Sequence, residues 1–272
     1  MLKRIDISLA GGSFPVSVEF GPPSPTKKYI AAGAEGLGPV KAEITSSPFA
    51  SLPGETISSK RLPRRNVVLD IRLQPNWAAG DTMKELRDFL YDIAGPLNEV
   101  ELRCITDDHP TGISLFGVVE DCAPAQFSSV GTVRLSVLCE DPYFVGPQQI
   151  ISGVFGTSKQ ITNPGRVDVG FTLTTYPSAD RTSIAMQMDN TDTEVLALTL
   201  PGTVHTSGKM VTFNTIPRHK NVTLSPAENL LKYATTMEFA YLIPGSNNYL
   251  YMSGNSSTDA WQLIFYPKYK AI

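Results

Sequence analysis

Arg65-Asn66-Val67-Val68-Leu69-Asp70-Ile71-Arg72-Leu73 and, after a break at Pro75-Asn76, Thr82-Met83-Lys84-Glu85-Leu86-Arg87-Asp88-Phe89-Leu90-Tyr91-Asp92-Ile93-Ala94 decide how this chain folds. Val67 to Leu73 opens as a continuous apolar run and ends in alternation. That pattern predicts a strand buried on both faces. In the second piece Met83, Leu86, Leu90 and Ile93 recur at helical spacing, which predicts a helix over residues 82–94 with one apolar face, flanked by Phe89 and Tyr91. Thr82 with Glu85 three residues on has the form of a capping box. Gly95-Pro96 supplies a permissive residue and then a stop. A helix of about a dozen residues is marginal alone in water. No other segment carries a helical period, so this helix has to lie against a sheet.

Working outward, Ile5, Ile7 and Leu9, then Phe14, Val16, Val18 and Phe20, alternate on either side of Gly11-Gly12 and predict a hairpin. The prolines of residues 21–28 remove backbone donors and force a loop. Tyr29 to Ala31 can restart a strand, Val40 to Thr45 alternates again, and Ser46 to Glu55 reads as turn. The cluster Lys60, Arg61, Arg64 and Arg65 reads as a solvated approach to the next strand. Segments 21–28 and 46–66 stand out as long and uncommitted, the kind of chain that becomes ordered against a neighbour.

Downstream, strands are expected at Val100–Thr106, Ile113–Glu120 and Thr132–Cys139. Pro142, Gly146 and Pro147 mark residues 140–149 as a boundary, giving domains 1–146 and 147–272. The second half is rich in Thr, Ser and Asn and lacks a helical period. Its candidate strands are 149–151, 159–161, 169–175, 183–188, 194–200, 210–213, 221–224, 236–242, 249–252 and 261–266, separated by turns such as Asn163-Pro164-Gly165 and Pro201-Gly202. Short strands at this spacing predict a β-sandwich of jelly-roll kind. The fold class is therefore mainly β, in two domains, with one helix in the first.

Composition narrows the function. Charged residues make up only 18%, and 21 Gly and 21 Pro suit short strands and many turns. A net charge of −3 gives no basic surface for sequence-independent nucleic-acid binding. Cys104, Cys122 and Cys139 lie in apolar strand patterns without metal spacing, which predicts free thiols, no zinc and a reducing compartment. Met1 to Asp6 has no apolar run of the signal-peptide kind, and no stretch reaches membrane-spanning length.

The candidate chemistry is sparse. Cys104, Asp107, Asp108 and His109 fall within six residues, but the acids belong to a turn after a strand. His205 and His219 lack any metal or protease spacing, and no nucleophile elbow or phosphate loop is present. Glu120-Asp121 and Glu140-Asp141 are adjacent acids at strand ends. Adjacent acids on a strand face opposite ways, which favours reading them as hairpin ends over the carboxylate pair a glycosidase needs. Trp77, Trp261, Tyr249, Tyr251, Tyr266 and Tyr269 are the residues that a sugar-stacking platform would use, against their reading as core or interface aromatics. The sequons at Asn221 and Asn255 indicate exposed loops. No catalytic, cofactor-binding or metal-binding residue is assigned.

The order of these features resembles the distal tail protein family of long-tailed, non-contractile bacteriophages. The residues that carry it are Gly36-Leu37-Gly38-Pro39 with Lys41-Ala42-Glu43-Ile44, then Leu52-Pro53-Gly54-Glu55, Arg65-Asn66-Val67-Val68-Leu69, Glu85 to Tyr91, and Cys139-Glu140-Asp141-Pro142-Tyr143-Phe144. Ile161-Thr162-Asn163-Pro164-Gly165, Val169-Gly170-Phe171 and Tyr241-Leu242-Ile243-Pro244-Gly245-Ser246-Asn247-Asn248 continue it in the second half. The resemblance implies a β-barrel-like first domain with one helix and a galectin-like sandwich behind it. It implies a non-enzymatic structural protein of the virion tail tip, made in the host cytoplasm, whose six copies close into a ring. That ring would join the tail tube to the tail-tip hub of the baseplate, around the tape-measure protein, and leave a lumen for DNA. It would also be a platform for receptor-binding or side-fibre proteins, without membrane or sequence-specific nucleic-acid contacts. The competing readings are a carbohydrate-binding module for host-surface glycans, a cell-wall hydrolase, and another tube or hub protein.

Overall fold

The computed structural model describes residues 1–24, 26–49, 53–124, 131–188, 193–200, 206–225, 228–245, 248–254 and 259–272. The chain divides into two compact units, Met1–Val145 with Tyr269–Ile272, and Gly146–Lys268. The last four residues, which the sequence reading leaves with the second half, belong to the first unit.

The first unit contains β1 (Leu2–Leu9), β2 (Val16–Glu19), β3 (Tyr29–Glu35), β4 (Glu43–Pro48), β5 (Glu55–Arg61), β6 (Arg65–Leu73), α1 (Met83–Ala94), β7 (Glu99–Thr106), β8 (Ile113–Pro124), β9 (Thr132–Cys139) and β10 (Phe144–Val145). The sheet order β8-β7-β1-β2-β3-β6-β9 closes through β8–β9 pairing into a seven-strand barrel. The β1–β2 hairpin forms as expected, with Ile5 opposite Val18 and Ile7 opposite Val16. β6 runs between β3 and β9, with Leu69 opposite Leu135 and Ile71 opposite Val133.

β6 departs from the expected strand buried on both faces. Val67, Leu69, Ile71 and Leu73 fill the barrel, whereas Asn66 and Arg72 are exposed and Val68 and Asp70 are half-buried. A barrel wall has one inner face, so alternation sets the burial and the outer Val68 is not core. Each inward aliphatic contributes about 1.5–3 kcal/mol of burial free energy.

Helix α1 starts where its capping box places it. The Glu85 amide donates to Thr82 Oγ1 at 3.2 Å, and the Thr82 amide donates to Glu85 Oε2 at 2.9 Å. Leu86, Leu90, Ile93 and Ala94 are buried, and the helix packs against β1, β6 and β8. The Tyr29 hydroxyl donates to the Leu86 carbonyl at 3.1 Å, and burial pushes its pKa up to about 12, with Asp81 adding to the rise. The helix end differs from expectation. Gly95 is extended at φ −67°, and the left-handed turn falls on Leu97 at φ 74°. Glycine is needed at 95 because a Cβ there would sit 2.8 Å from the Tyr91 carbonyl oxygen.

The second unit is a sandwich of two antiparallel sheets. One sheet is built from β11 (Gln149–Val154), β13 (Phe171–Thr175), β16 (Val211–Asn214), β17 (Asn221–Leu224), β18 (Glu228–Asn229) and β21 (Ala260–Phe265), and the other from β12 (Lys159–Ile161), β14 (Ser183–Met188), β15 (Thr193–Thr199), β19 (Ala234–Met237) and β20 (Asn248–Gly254). Phe171, Phe213, Trp261 and Phe265 from the first meet Ile184, Met186, Leu250 and Met252 from the second in one core. The expected strands recur to within a few residues, except that 236–242 is a strand only over Ala234–Met237.

Candidate assembly surface

A ribbon that buries none of its residues lies in the segment that the sequence left uncommitted. β4 and β5 pair only with each other, in a two-stranded ribbon standing off the barrel between β3 and β6. The strand expected at Val40–Thr45 begins at Glu43 and runs on to Pro48, through residues read as turn. Every residue of both strands is exposed. The register, Ile44 opposite Lys60 and Ser46 opposite Ile57, puts Ile44, Ile57 and Lys60 on one face. Ile44 is 59% and Ile57 50% exposed, and Phe49 beyond the end of β4 is also exposed. The Glu43–Arg61 ion pair, at 2.6 Å, occupies the other face. An isolated two-stranded hairpin is at best marginal in water.

The base of this arm is held firmly. Arg65, expected to be solvated, is 2% exposed. Its guanidinium donates to the carbonyls of Gly36, of Gly38 at 2.6 Å, of Pro142 at 2.8 Å and of Lys270 at 2.8 Å, and lies over the Phe144 ring. Gly36 and Gly38 lead into the arm, Pro142 precedes the chain's exit from the first unit, and Lys270 lies on its return. One buried cation thus fixes three strands of traffic through backbone carbonyls alone. Gly36 is obligatory beside it: φ is 79°, and a Cβ there would lie 1.9 Å from the Asn66 carbonyl oxygen. The missed signal was phase, since Arg65 is the first inward position of the series 65, 67, 69, 71, 73.

A second surface lies over β7 and β8. Their outer faces carry Glu99, Phe116 and Val118, which with Ala10, Val100, Gly117, Glu140 and Asp141 line a groove of about 380 Å³. Phe116 is 49% and Val118 37% exposed; the left-handed Leu97, whose amide donates to the Val119 carbonyl at 2.9 Å, is 84% exposed.

The residues weighed for chemistry do not converge. Cys104 is inside the barrel, and burial pushes its thiol up to about 12; burial likewise raises Cys122 and Cys139 to about 11. These are packing thiols, poor sources of thiolate. Asp107 is held down to about 2 by hydrogen bonds from Lys3 and the N-terminal amine, and His109 packs edge-on against Tyr269 at 4.6 Å. His219 is exposed, and His205 lies outside the described residues. Glu120 and Asp121 are both exposed, because the strand bulges there and upsets the expected alternation. Of the aromatics, Tyr249 and Tyr251 are half-buried and Tyr266 is exposed. Trp261 is 1% exposed, its Nε1 donating to the Val154 carbonyl at 3.2 Å, while Trp77 and Tyr269 belong to the other unit. Among the described residues no three His, Cys, Asp or Glu side chains group as metal ligands, and no helix is long and apolar enough to cross a membrane.

No protein-family model and no curated protein sequence matches this chain. Solved structures do. SPP1 Dit (gp 19.1), described as a paradigm of the hub adsorption apparatus in phages infecting Gram-positive bacteria, superposes with a TM-score of 0.69 at 16% identity, covering 97% of this chain and 98% of that one. A chain of the phage P2 baseplate in its activated conformation with Ca gives 0.51 at 12% identity over 100% of both chains, and the corresponding structure with Sr gives 0.50 at 11% identity over 99% of both. The chain has the fold of these phage tail and baseplate proteins, as the sequence resemblance implied.

Proposed function

We propose that this chain is a structural protein of a siphophage tail tip, a distal-tail-type subunit that works by assembly and not by catalysis. The observation that carries the reading is the likeness to SPP1 Dit through 97% of this chain and 98% of that one, so barrel and sandwich match together in one polypeptide. The exposed β4–β5 arm adds to it, since a ribbon that buries nothing in its own unit is suited to contact another subunit. In this reading six copies form a ring in the virion. The ring joins tail tube to tail-tip hub, surrounds the tape-measure protein and leaves a channel for DNA, with receptor-binding or side-fibre proteins as further partners.

The mass of the purified chain in solution tests it, by native mass spectrometry with negative-stain imaging. Six-membered particles with a central opening are expected. A strict monomer at every concentration would contradict it, and turnover of a cell-wall polymer or saturable glycan binding would favour a hydrolase or a sugar-binding module instead.

A further inference from the structure

We propose that the β4–β5 arm of one copy seats in the β7–β8 groove of the next, and this rests on the ring reading above. The two surfaces complement each other in polarity. The arm presents Ile44 and Ile57 beside Lys60 on one face, with Arg64 at its base. The groove is lined by Phe116 and Val118 together with Glu99, Glu140 and Asp141. Apolar meets apolar and cation meets carboxylate, which steers association and fixes register.

They are also different surfaces of the same unit. In the closed strand order the arm leaves between β3 and β6, while the groove covers β7 and β8. β9 lies between β6 and β8 one way round the barrel, and β1 and β2 lie between β3 and β7 the other way; only the Glu140–Asp141 end of the groove, next to Cys139 opposite Arg65, adjoins the arm's base. An interface joining two unlike patches is heterologous, so every copy keeps one free arm and one free groove until a ring closes. The occupant is a second copy of this chain, because the Ile44, Ile57 and Lys60 face of its arm matches the apolar and carboxylate lining of the groove.

The test is a cysteine pair in the full chain, Ile57→Cys with Phe116→Cys, oxidised mildly and resolved on a denaturing gel; each single variant controls for the native thiols. A pair of Ile57→Cys with Phe89→Cys, on the exposed side of α1, controls for random collision. A ladder of linked copies is expected, at least about tenfold stronger than for the control pair. Lys60→Glu should weaken the ladder about tenfold, the effect of one interfacial charge pair, and adding Glu140→Lys should restore it. All these positions except the half-buried native Cys122 and the buried Cys104 and Cys139 are exposed, so the variants should fold, and far-ultraviolet circular dichroism checks this. Multimers by native mass without the 57–116 link overturn the docking and leave the ring reading standing. No multimers and no ladder overturn both.

Discussion

β5 and β6 are consecutive strands with opposite fates. β5 is exposed at every residue, and β6, three residues later, buries every second one. Both pair with an antiparallel neighbour. What separates them is the inward set. β6 offers Val67, Leu69, Ile71 and Leu73 to a closed barrel, while β5 offers one isoleucine among serine, threonine and charge. A strand with that composition cannot stabilise itself on its own unit. Its exposure is intelligible if its partner lies on another molecule.

The largest break in this comparison should come from β6. Leu69→Ala empties a fully buried site and should cost about 2–5 kcal/mol, read from the first unit's transition in urea. Next comes the joint between the two strands. Arg65→Lys replaces a planar fork that serves four carbonyls with a point charge that cannot reach them all. A loss of about 2 kcal/mol or more is expected, from buried carbonyls left without donors.

Acid should sharpen a related contrast between two buried arginines. Arg65 is held by carbonyls, which do not titrate in this range, whereas Arg181 in the second unit is paired with Asp259. Burial pushes the Asp259 carboxyl up, but hydrogen bonds from Ser178 and the Arg181 ion pair outweigh it and leave the carboxyl below the usual range. A lowered folded pKa contributes stability that is present above the unfolded value and lost as pH falls through the folded one. The second unit, followed by emission of the buried Trp261, should therefore lose stability below the ordinary carboxylate range. Asp259→Asn should flatten that dependence. The smallest effect is expected in the arm. Ile57→Ser should change the stability of the isolated chain by no more than about 0.5 kcal/mol, measured in the same urea experiment, while weakening self-association.

Much of the fold was legible because local signals agreed. Thr82 and Glu85 fixed the helix start, and Thr132–Cys139 and Ser183–Met188 alternate so regularly that their limits match the structure. The arm was legible only as an uncommitted stretch. Its pairing is backbone-driven, and Ser46, Ser47, Ser58 and Ser59 carry turn propensity that masks it. Arg65 was hidden by its neighbours, since three of the four basic residues are solvated and one is not. Trp261 could not be assigned to surface or core by type alone; its contact over Gly153, where a Cβ would come within 2.3 Å of the indole, settles it as core. The groove escaped notice because it joins residues 10, 99–100, 116–118 and 140–141, which only the strand order brings together.

Amide hydrogen exchange over residues 43–61 tests the central claim most directly, measured on dissociated and on assembled protein. The account predicts that β4 and β5 amides exchange fast in the dissociated chain and become protected on assembly, while β6 is protected in both. Assembled particles in which β4 and β5 exchange as fast as in the dissociated chain would contradict it.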